Sequence, residues 1–205
     1  MTAPFQTSPS SGPTAIAPVF LTGRRVQLRQ WTEADDAPFA ALNADPVAME
    51  FFPSLLTREQ SDAMARRIAD SITARGWGLW AADLLPADQT APRFMGFVGL
   101  SRPLADLPFK PCVEIGWRLA RPFWGRGLAS EAARLALRVG FEVLALDEIV
   151  SFTTLHNVRS RAVMERLGMQ ESPVEQFDNP SVPVGNPTRP HCLYRLPRTR
   201  WAATD

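Results

Sequence analysis

The stretch VEIGWRLARPFWGRGLASEAARLALRVGF, residues 113–141, decides how this chain is read. Val113, Ile115, Trp117 and Leu119 alternate with Glu114, Gly116 and Arg118, which is the period of a strand. Leu128, Ala132, Leu135 and Val139 then recur at helical spacing, so one face of the next segment is apolar. The loop between them runs from Arg121 to Ala129, and Gly125, Gly127 and Ala129 in it carry little or no side chain. A ligand can therefore come close to the backbone. The first N–H groups of the helix lack internal partners, and the helix dipole favours negative charge there. The spacing predicts a phosphate-holding loop; the plainer reading is a strand-to-helix turn whose glycines serve geometry only.

Outward from this unit, the rest of the chain falls into short elements. Residues 1–18 hold Pro4, Pro9, Pro13 and Pro18 among Ser, Thr and Gly, and read as a flexible tail ahead of one domain over 19–205. Arg25–Arg29 alternates as a first strand. Thr32 and Asp35 resemble a capping box opening a helix to about Asn43, and Thr57 with Gln60 opens another that ends at Gly76. Gly78–Asp83 and Arg93–Leu100 read as two strands joined by a proline-bearing hairpin loop over 85–92. After the organising unit come a strand at Glu148–Thr154, a helix at Asn157–Leu167 closed by Gly168, a strand at Met169–Val174, a proline-rich loop at Phe177–Pro190 and a last strand at His191–Leu196.

Composition excludes several classes. A 45% hydrophobic content in 205 residues supports a sizeable core. Lys plus Arg total 22 against 21 acids, a net charge of +1, which argues against bulk electrostatic binding of nucleic acid. Cys112 and Cys192 make neither a metal spacing nor a disulfide framework, so the expectation is a reducing cytoplasm and no metal. No apolar run is long enough to span a membrane, and no secretory signal is visible.

The loop lacks the Gly-Lys-Ser/Thr ending of a nucleoside-triphosphate loop and the GxGxxG spacing of a dinucleotide fold. It resembles the acetyl-CoA pyrophosphate loop of the GNAT superfamily of N-acetyltransferases, Gln/Arg-x-x-Gly-x-Gly/Ala, with Gly127 and Ala129 in the last two places. Trp124 stands where Gln or Arg is usual. That departure is similar to the RimJ/RimL-like branch, in which Trp-Gly-Lys/Arg-Gly-x-Ala is common. Glu114-Ile115-Gly116-Trp117 before it and Ser130-Glu131-Ala132 after it also match that branch. The order of elements agrees from about Phe20 to Pro197. The resemblance implies an α/β (α+β) GNAT fold: a central mixed, mostly antiparallel sheet of about seven strands with about four helices. It also implies acetyl-CoA as co-substrate, bound where the strands before and after the helix splay apart.

The resemblance implies that Gly125, Gly127, Leu128 and Ala129 offer N–H groups to the pyrophosphate, and that Trp124, Arg126 and Ser130 belong to the same cofactor-binding set, with Arg126 adding a side-chain charge. Asn157 resembles the family residue that bonds the pantetheine arm or the adenylate side; equally, Asn is a good helix N-cap by itself. The family's proton-donating Tyr position is Met164, which cannot donate, and Ser160 takes that role in RimJ/RimL-like members or is an ordinary first-turn serine. Arg159, Arg161 and Arg166 cluster on the same helix, for CoA phosphates or as a solvated face; Arg159 joins the cofactor set. Neither cysteine sits in a nucleophile setting.

Amine acetylation needs a proton acceptor, a donor for the oxyanion and help for a thiolate whose pKa is about 8.5. Glu114, a carboxylate inside an apolar strand, is a candidate base if burial raises its pKa, or a salt-bridged structural residue. His191 is the rival base, or a surface loop histidine. His156 positions a turn, and Tyr194 belongs to the core. Trp31, Phe51, Phe52, Trp77 and the loop at 177–190 are the expected acceptor walls. The sequence thus reads as a cytoplasmic acetyl-CoA-dependent N-acetyltransferase acting by direct transfer in a ternary complex on a primary amine, either a protein N-terminal α-amine or a small molecule. The alternative is a non-catalytic acyl-CoA-binding module of the same fold. Nucleic acid and membrane are not expected partners, and a homodimer is left open.

Overall fold

The strands of this chain assemble into one twisted sheet whose order is β1-β2-β3-β4-β5-β6-β9-β7, with β8 also paired to β9. The computed structural model describes residues 21–86 and 93–201. The strands are β1 Leu21–Thr22, β2 Val26–Arg29, β3 Leu79–Leu84, β4 Arg93–Ser101, β5 Glu114–Leu119, β6 Glu148–Thr154, β7 Gln170–Glu171, β8 Phe177–Asp178 and β9 Pro190–Pro197. Every pairing is antiparallel except β5 with β6. A parallel neighbour requires a crossover, which is supplied by α3, Leu128–Arg138.

The helices form where the sequence caps them. Asp35 Oδ2 accepts the Thr32 N–H at 2.8 Å ahead of a short 3-10 turn, and α1 follows over Asp36–Asn43. Thr57 and Gln60 complete a reciprocal box, and α2 runs Arg58–Arg75 until Gly76 takes a left-handed turn at φ 78°. α4 spans Val158–Arg166 behind Asn157, and a short α5, Arg198–Trp201, stacks Trp201 on Phe141 at 5.6 Å.

The two faces of the sheet are set by strand alternation. On one, Phe97 of β4 meets Phe39 of α1 with ring centroids 6.0 Å apart, and Arg118 of β5 bonds Asn43 of α1. On the other, Leu100 and Ile149 lie under Gly140 just past α3, where an added Cβ would stand only 2.4 Å from Ile149 Cδ1. Gly140 thus allows the end of α3, which continues as a π turn over 139–143, to lie directly on the sheet. Fully buried side chains such as Leu28, Met95, Ile115, Leu128 and Leu137 fill the interior.

The architecture agrees with the mixed, mostly antiparallel sheet that the resemblance implies, with nine strands rather than seven among the described residues, three of them two residues long, and five α-helices rather than four. The strand expected over Met169–Val174 shortens to Gln170–Glu171, because Pro173 has no N–H and starts a 3-10 turn. The loop expected from Phe177 begins instead with the two residues of β8. The tail at 1–18 and most of the hairpin loop at 85–92 lie outside the described residues.

Candidate active site

β5 is bonded unequally on its two edges. Toward β4 it pairs at six positions, from Gly96 with Leu119 to Ser101 with Glu114. Toward β6 it pairs only at Glu114 with Val150, where the Val150 N–H donates to the Val113 carbonyl at 2.9 Å. One residue on, the Ile115 carbonyl accepts the Ser151 hydroxyl at 2.9 Å instead of a backbone N–H. Beyond that the ladder stops. A wedge therefore opens between β5 and β6, lined by backbone that needs hydrogen-bond partners.

The glycine loop stands at the wide end of this wedge. Gly125 and Gly127 have φ of 70° and 74°, a left-handed geometry that favours glycine. A Cβ on Gly125 would meet nothing within 4 Å, and one on Gly127 only Arg25 Nη2 at 3.7 Å. Gly127 is the N-cap of α3 and brings no side chain to its first-turn N–H groups. The result is an open, uncapped helix N-terminus, the arrangement that suits a phosphate. The Arg25 N–H and Nε donate to Glu131 at 2.6 and 2.8 Å, and its Nη1 donates to the Arg126 carbonyl at 3.0 Å. Burial works against the Glu131 carboxylate, but these donors hold its pKa below the usual range. Glu131 thus serves to brace the loop from behind. Trp124 anchors it in front: its indole Nε1 donates to the Leu119 carbonyl at 2.6 Å. Leu128 turns into the core and Ala129 packs against it, so these residues offer only backbone. Ser130 is buried as well, and its hydroxyl has no partner among the described residues.

At the narrow end sits Glu114. Ser101 Oγ donates to its Oε2 at 3.3 Å, and Oε1 is 3.9 Å from where a Cβ on Gly116 would be. Burial pushes the carboxyl up to about 7, against the weaker opposing pull of Ser101. The salt bridge of its structural alternative is missing among the described residues.

The α4 side of the wedge is held by Asn157. Its Oδ1 accepts the Ser160 N–H at 3.1 Å and its Nδ2 donates to Thr153 Oγ1 at 3.0 Å, so the N-cap role is filled. The Ser160 hydroxyl, half-buried in the first turn, takes no protein partner among the described residues. Met164, the Tyr position, is in the core. Arg159 pairs with Glu50 at 2.6 Å and lies 4.7 Å over Trp124 and 5.5 Å over Phe51. It bridges α4, the glycine loop and the α1–α2 connection across the mouth of the wedge. Arg161 points elsewhere, to Tyr194 Oη, the Leu155 carbonyl and Glu171, so it is not available to phosphate. Arg166 is exposed, and Tyr194, also bonded to Glu165, is a core residue.

Several expected residues stand differently. His191 is no surface histidine; it is 7% exposed. Its Nδ1 lies 2.9 Å from the Arg189 carbonyl and its Nε2 3.3 Å from Asn179 Nδ2. A carbonyl only accepts and an amide nitrogen donates, so these partners suit the neutral ring protonated at Nδ1. Burial also lowers its pKa. Along β6 it is paired at Thr154, four residues from the Glu114 partner Val150, about 13 Å along the strand. Trp31 is buried, its Nε1 donating to the Leu79 carbonyl, its ring against Phe39 and Phe94; it belongs to the core rather than to an acceptor wall. Trp77 is likewise buried, between Arg75 and Arg102. Phe51 and Phe52, on the α1–α2 connection, do face the wedge side, under Arg159 and over Arg118.

Two groups at the site escaped the sequence reading. Arg25 is 106 residues from Glu131, and nothing local marks it. Arg118 could have been found, since it shares the strand face of Glu114 at even spacing.

With this geometry in view, comparison with known proteins places the chain. The model of the family described as "Acetyltransferase (GNAT) domain" matches residues 25–170, so the chain belongs to the GNAT acetyltransferase family, whose members use acetyl-CoA as co-substrate. Among relatives, YkkB of Bacillus subtilis is 29% identical over 149 residues, which is 72% of this chain and 83% of that protein. FsC-acetyl coenzyme A-N(2)-transacetylase of Aspergillus fumigatus is 37% identical over 89 residues, 43% of this chain and 37% of that protein. An acetyltransferase of the GNAT family from Bacillus anthracis has the same fold, with a TM-score of 0.71 over 88% of this chain and 99% of that one at 21% identity. The open glycine cradle, the uncapped α3 and the unpaired β5 edge fit the pyrophosphate and amide-bearing arm of CoA.

Proposed function

We propose that this protein is an N-acetyltransferase of the RimJ/RimL-like kind. It moves an acetyl group from acetyl-CoA to a primary amine, on a protein N-terminus or a small molecule, by direct transfer while both substrates are bound. The feature that carries this reading is Glu114: a carboxyl that burial pushes up to about 7, with no counter-ion among the described residues, at the apex of the wedge and on the same strand as the loop that would hold the cofactor. One rigid element then fixes both the acyl donor and the base, which is what orientation requires. Glu114 takes the ammonium proton, through water where the amine does not touch it. Backbone N–H groups on the open β5 edge orient the thioester carbonyl, and Ser160 at the positive end of α4 gives a proton to the departing thiolate. The relative named as an acetyl coenzyme A N(2)-transacetylase supports nitrogen as the accepting atom. Both cysteines are free, and no covalent acyl-enzyme is needed.

The test is thiol release from acetyl-CoA across a panel of amines and N-terminal peptides, run beside calorimetric titration with CoA. Turnover with at least one amine is the expected result. CoA binding with no turnover on any amine would leave an acyl-CoA-binding module and overturn the enzyme reading.

A further inference from the structure

The chain holds two of its arginines in opposite ways. Arg29 is clamped by Asp35 and Asp83, with four N–O contacts of 2.7 to 3.0 Å, and these carboxylates hold its pKa above the usual value. Arg118 is 8% exposed, and among the described residues no carboxylate pairs with it. Its Nη1 donates to Asn43 Oδ1 at 2.5 Å, Phe52 covers it at 3.9 Å, Phe97 lies at 5.4 Å, and its buried Nε has no partner among the described residues. Aromatic faces and one amide oxygen are weak compensation for a desolvated cation. Burial alone accordingly pulls its pKa down to about 10.

The position of Arg118 gives this deficit a direction. Glu114, Gly116 and Arg118 alternate onto one face of β5, the face turned toward α1. Gly116, between them, puts no side chain there, and a Cβ on it would meet only Glu114 Oε1 within 4 Å. Base and cation thus sit at the two ends of a gap about 13 Å long at the backbone, which the reach of the two side chains shortens. Phe52, 38% exposed, lies over the guanidinium, so the cation is one ring beneath solvent at the wall of the acceptor side.

We propose that Arg118 is the anchor of an acceptor subsite for an anion, so that the amine acetylated at Glu114 belongs to a molecule carrying a carboxylate or phosphate-type group at its far end. The proposal rests on the acetyltransferase reading. An incoming anion meets Arg118 past Phe52 and supplies the partner that Nε lacks. A neutral acceptor leaves the cation buried and unpaired, and a site with an unsatisfied polar group discriminates strongly against such a ligand.

The test uses the full chain with acetyl-CoA and three matched series of acceptors: ω-amino acids from 4-aminobutyrate to 6-aminohexanoate, their primary amides, and aminoalkylphosphonates of equal length. Acids or phosphonates should exceed the amides in kcat/KM by roughly ten- to a hundredfold at the best chain length, and the series that leads identifies the anion. Arg118→Gln should erase that preference by raising KM for the acids and phosphonates, and Arg118→Lys should restore part of it. Equal or better turnover of the amides by the unaltered protein overturns the subsite while leaving the acetyltransferase reading intact. A preference that survives Arg118→Gln does the same. No turnover on any amine overturns both. The comparison of acids with amides needs no variant, so misfolding of Arg118→Gln cannot rescue the proposal.

Discussion

The two edges of β5 make the sharpest contrast in the molecule. On the β4 side the strand is zipped over its whole length; on the β6 side a single register pair and one serine hydroxyl hold it. The residues are the same, so the difference comes from the partner. β4 reaches β5 antiparallel across a loop, whereas β6 arrives through a helical crossover and departs from β5 after one residue. A buried strand edge left open is costly unless a ligand completes it. All three buried side-chain atoms without partners among the described residues, Arg118 Nε, Ser130 Oγ and Thr154 Oγ1, belong to elements that frame this same opening. The closed edge carries stability, and in the proposed reading the open edge carries the chemistry.

If the open edge is where proton transfer occurs, removing the basicity of Glu114 has the largest effect. Glu114→Gln keeps the shape and should lower kcat by about 10²–10⁴-fold while CoA affinity stays nearly constant. In the unaltered protein, kcat/KM should rise with pH through about 7, and this acidic limb should vanish in the variant. Stability gives a second readout. A carboxyl raised from 4.5 to about 7 on folding binds its proton more tightly in the native state. It therefore favours folding below about pH 4.5, and that contribution is lost as pH rises through 7. The Tm of Glu114→Gln should gain on that of the parent between pH 5 and pH 8, by up to about 3 kcal/mol of stability. Parallel pH–Tm curves would show that Glu114 is already charged and solvated.

Gly127→Asp attacks the wide end of the opening. It places a carboxylate at an uncapped helix N-terminus where phosphate must come, and a side chain at φ 74°. CoA affinity should fall by about a hundredfold or more, measured calorimetrically. Native CD with unchanged CoA affinity would remove the loop from the cofactor site.

How far the sequence carried the reading follows from the same contrast. β6 at Glu148–Thr154 and the capping boxes at Thr32 and Thr57 were legible because their signals are local. The glycine loop was legible because backbone geometry dictates its composition. Glu114 was legible because a charge in an apolar strand is conspicuous. The indole of Trp31 was misread, because aromatic residues mark cores and walls alike and only packing separates them. His191 looked solvent-facing because its partners, Arg189 and Asn179, come from the folding back of a proline-rich loop. The brace from Arg25 and the missing counter-ion of Arg118 depend on contacts between distant segments, and no window of sequence contains them.

The next test bears on the one bond that still closes the seam. Ser151→Ala removes the hydroxyl from the Ile115 carbonyl and leaves a buried acceptor exposed to the wedge. The loss should be about 1–2 kcal/mol, visible as a lowered Tm, and CoA should recover part of it if its arm supplies donors there. A Tm loss that CoA leaves unchanged would put the arm elsewhere.

The smallest effect belongs to Ser160. Its N–H is fixed by Asn157, while its hydroxyl is uncommitted and stands in the first turn of α4. The helix N-terminus stabilises a developing thiolate whatever the side chain, and water reaches the mouth of the wedge past the exposed Arg159–Glu50 pair. A proton donor at this place therefore competes with solvent for a thiolate that leaves readily near neutral pH. Ser160→Ala should lower kcat only about tenfold, the low end for general acid help, with KM for acetyl-CoA little changed. The loss should grow toward high pH, where solvent protonates the thiolate less well. Met164, buried beneath the same turn, cannot take over. If kcat is unchanged at every pH, the helix end and water suffice, and the serine is only a first-turn residue. A loss as large as that of Glu114→Gln would instead make thiolate departure the limiting step, and the acidic limb of the rate profile would then no longer report on Glu114.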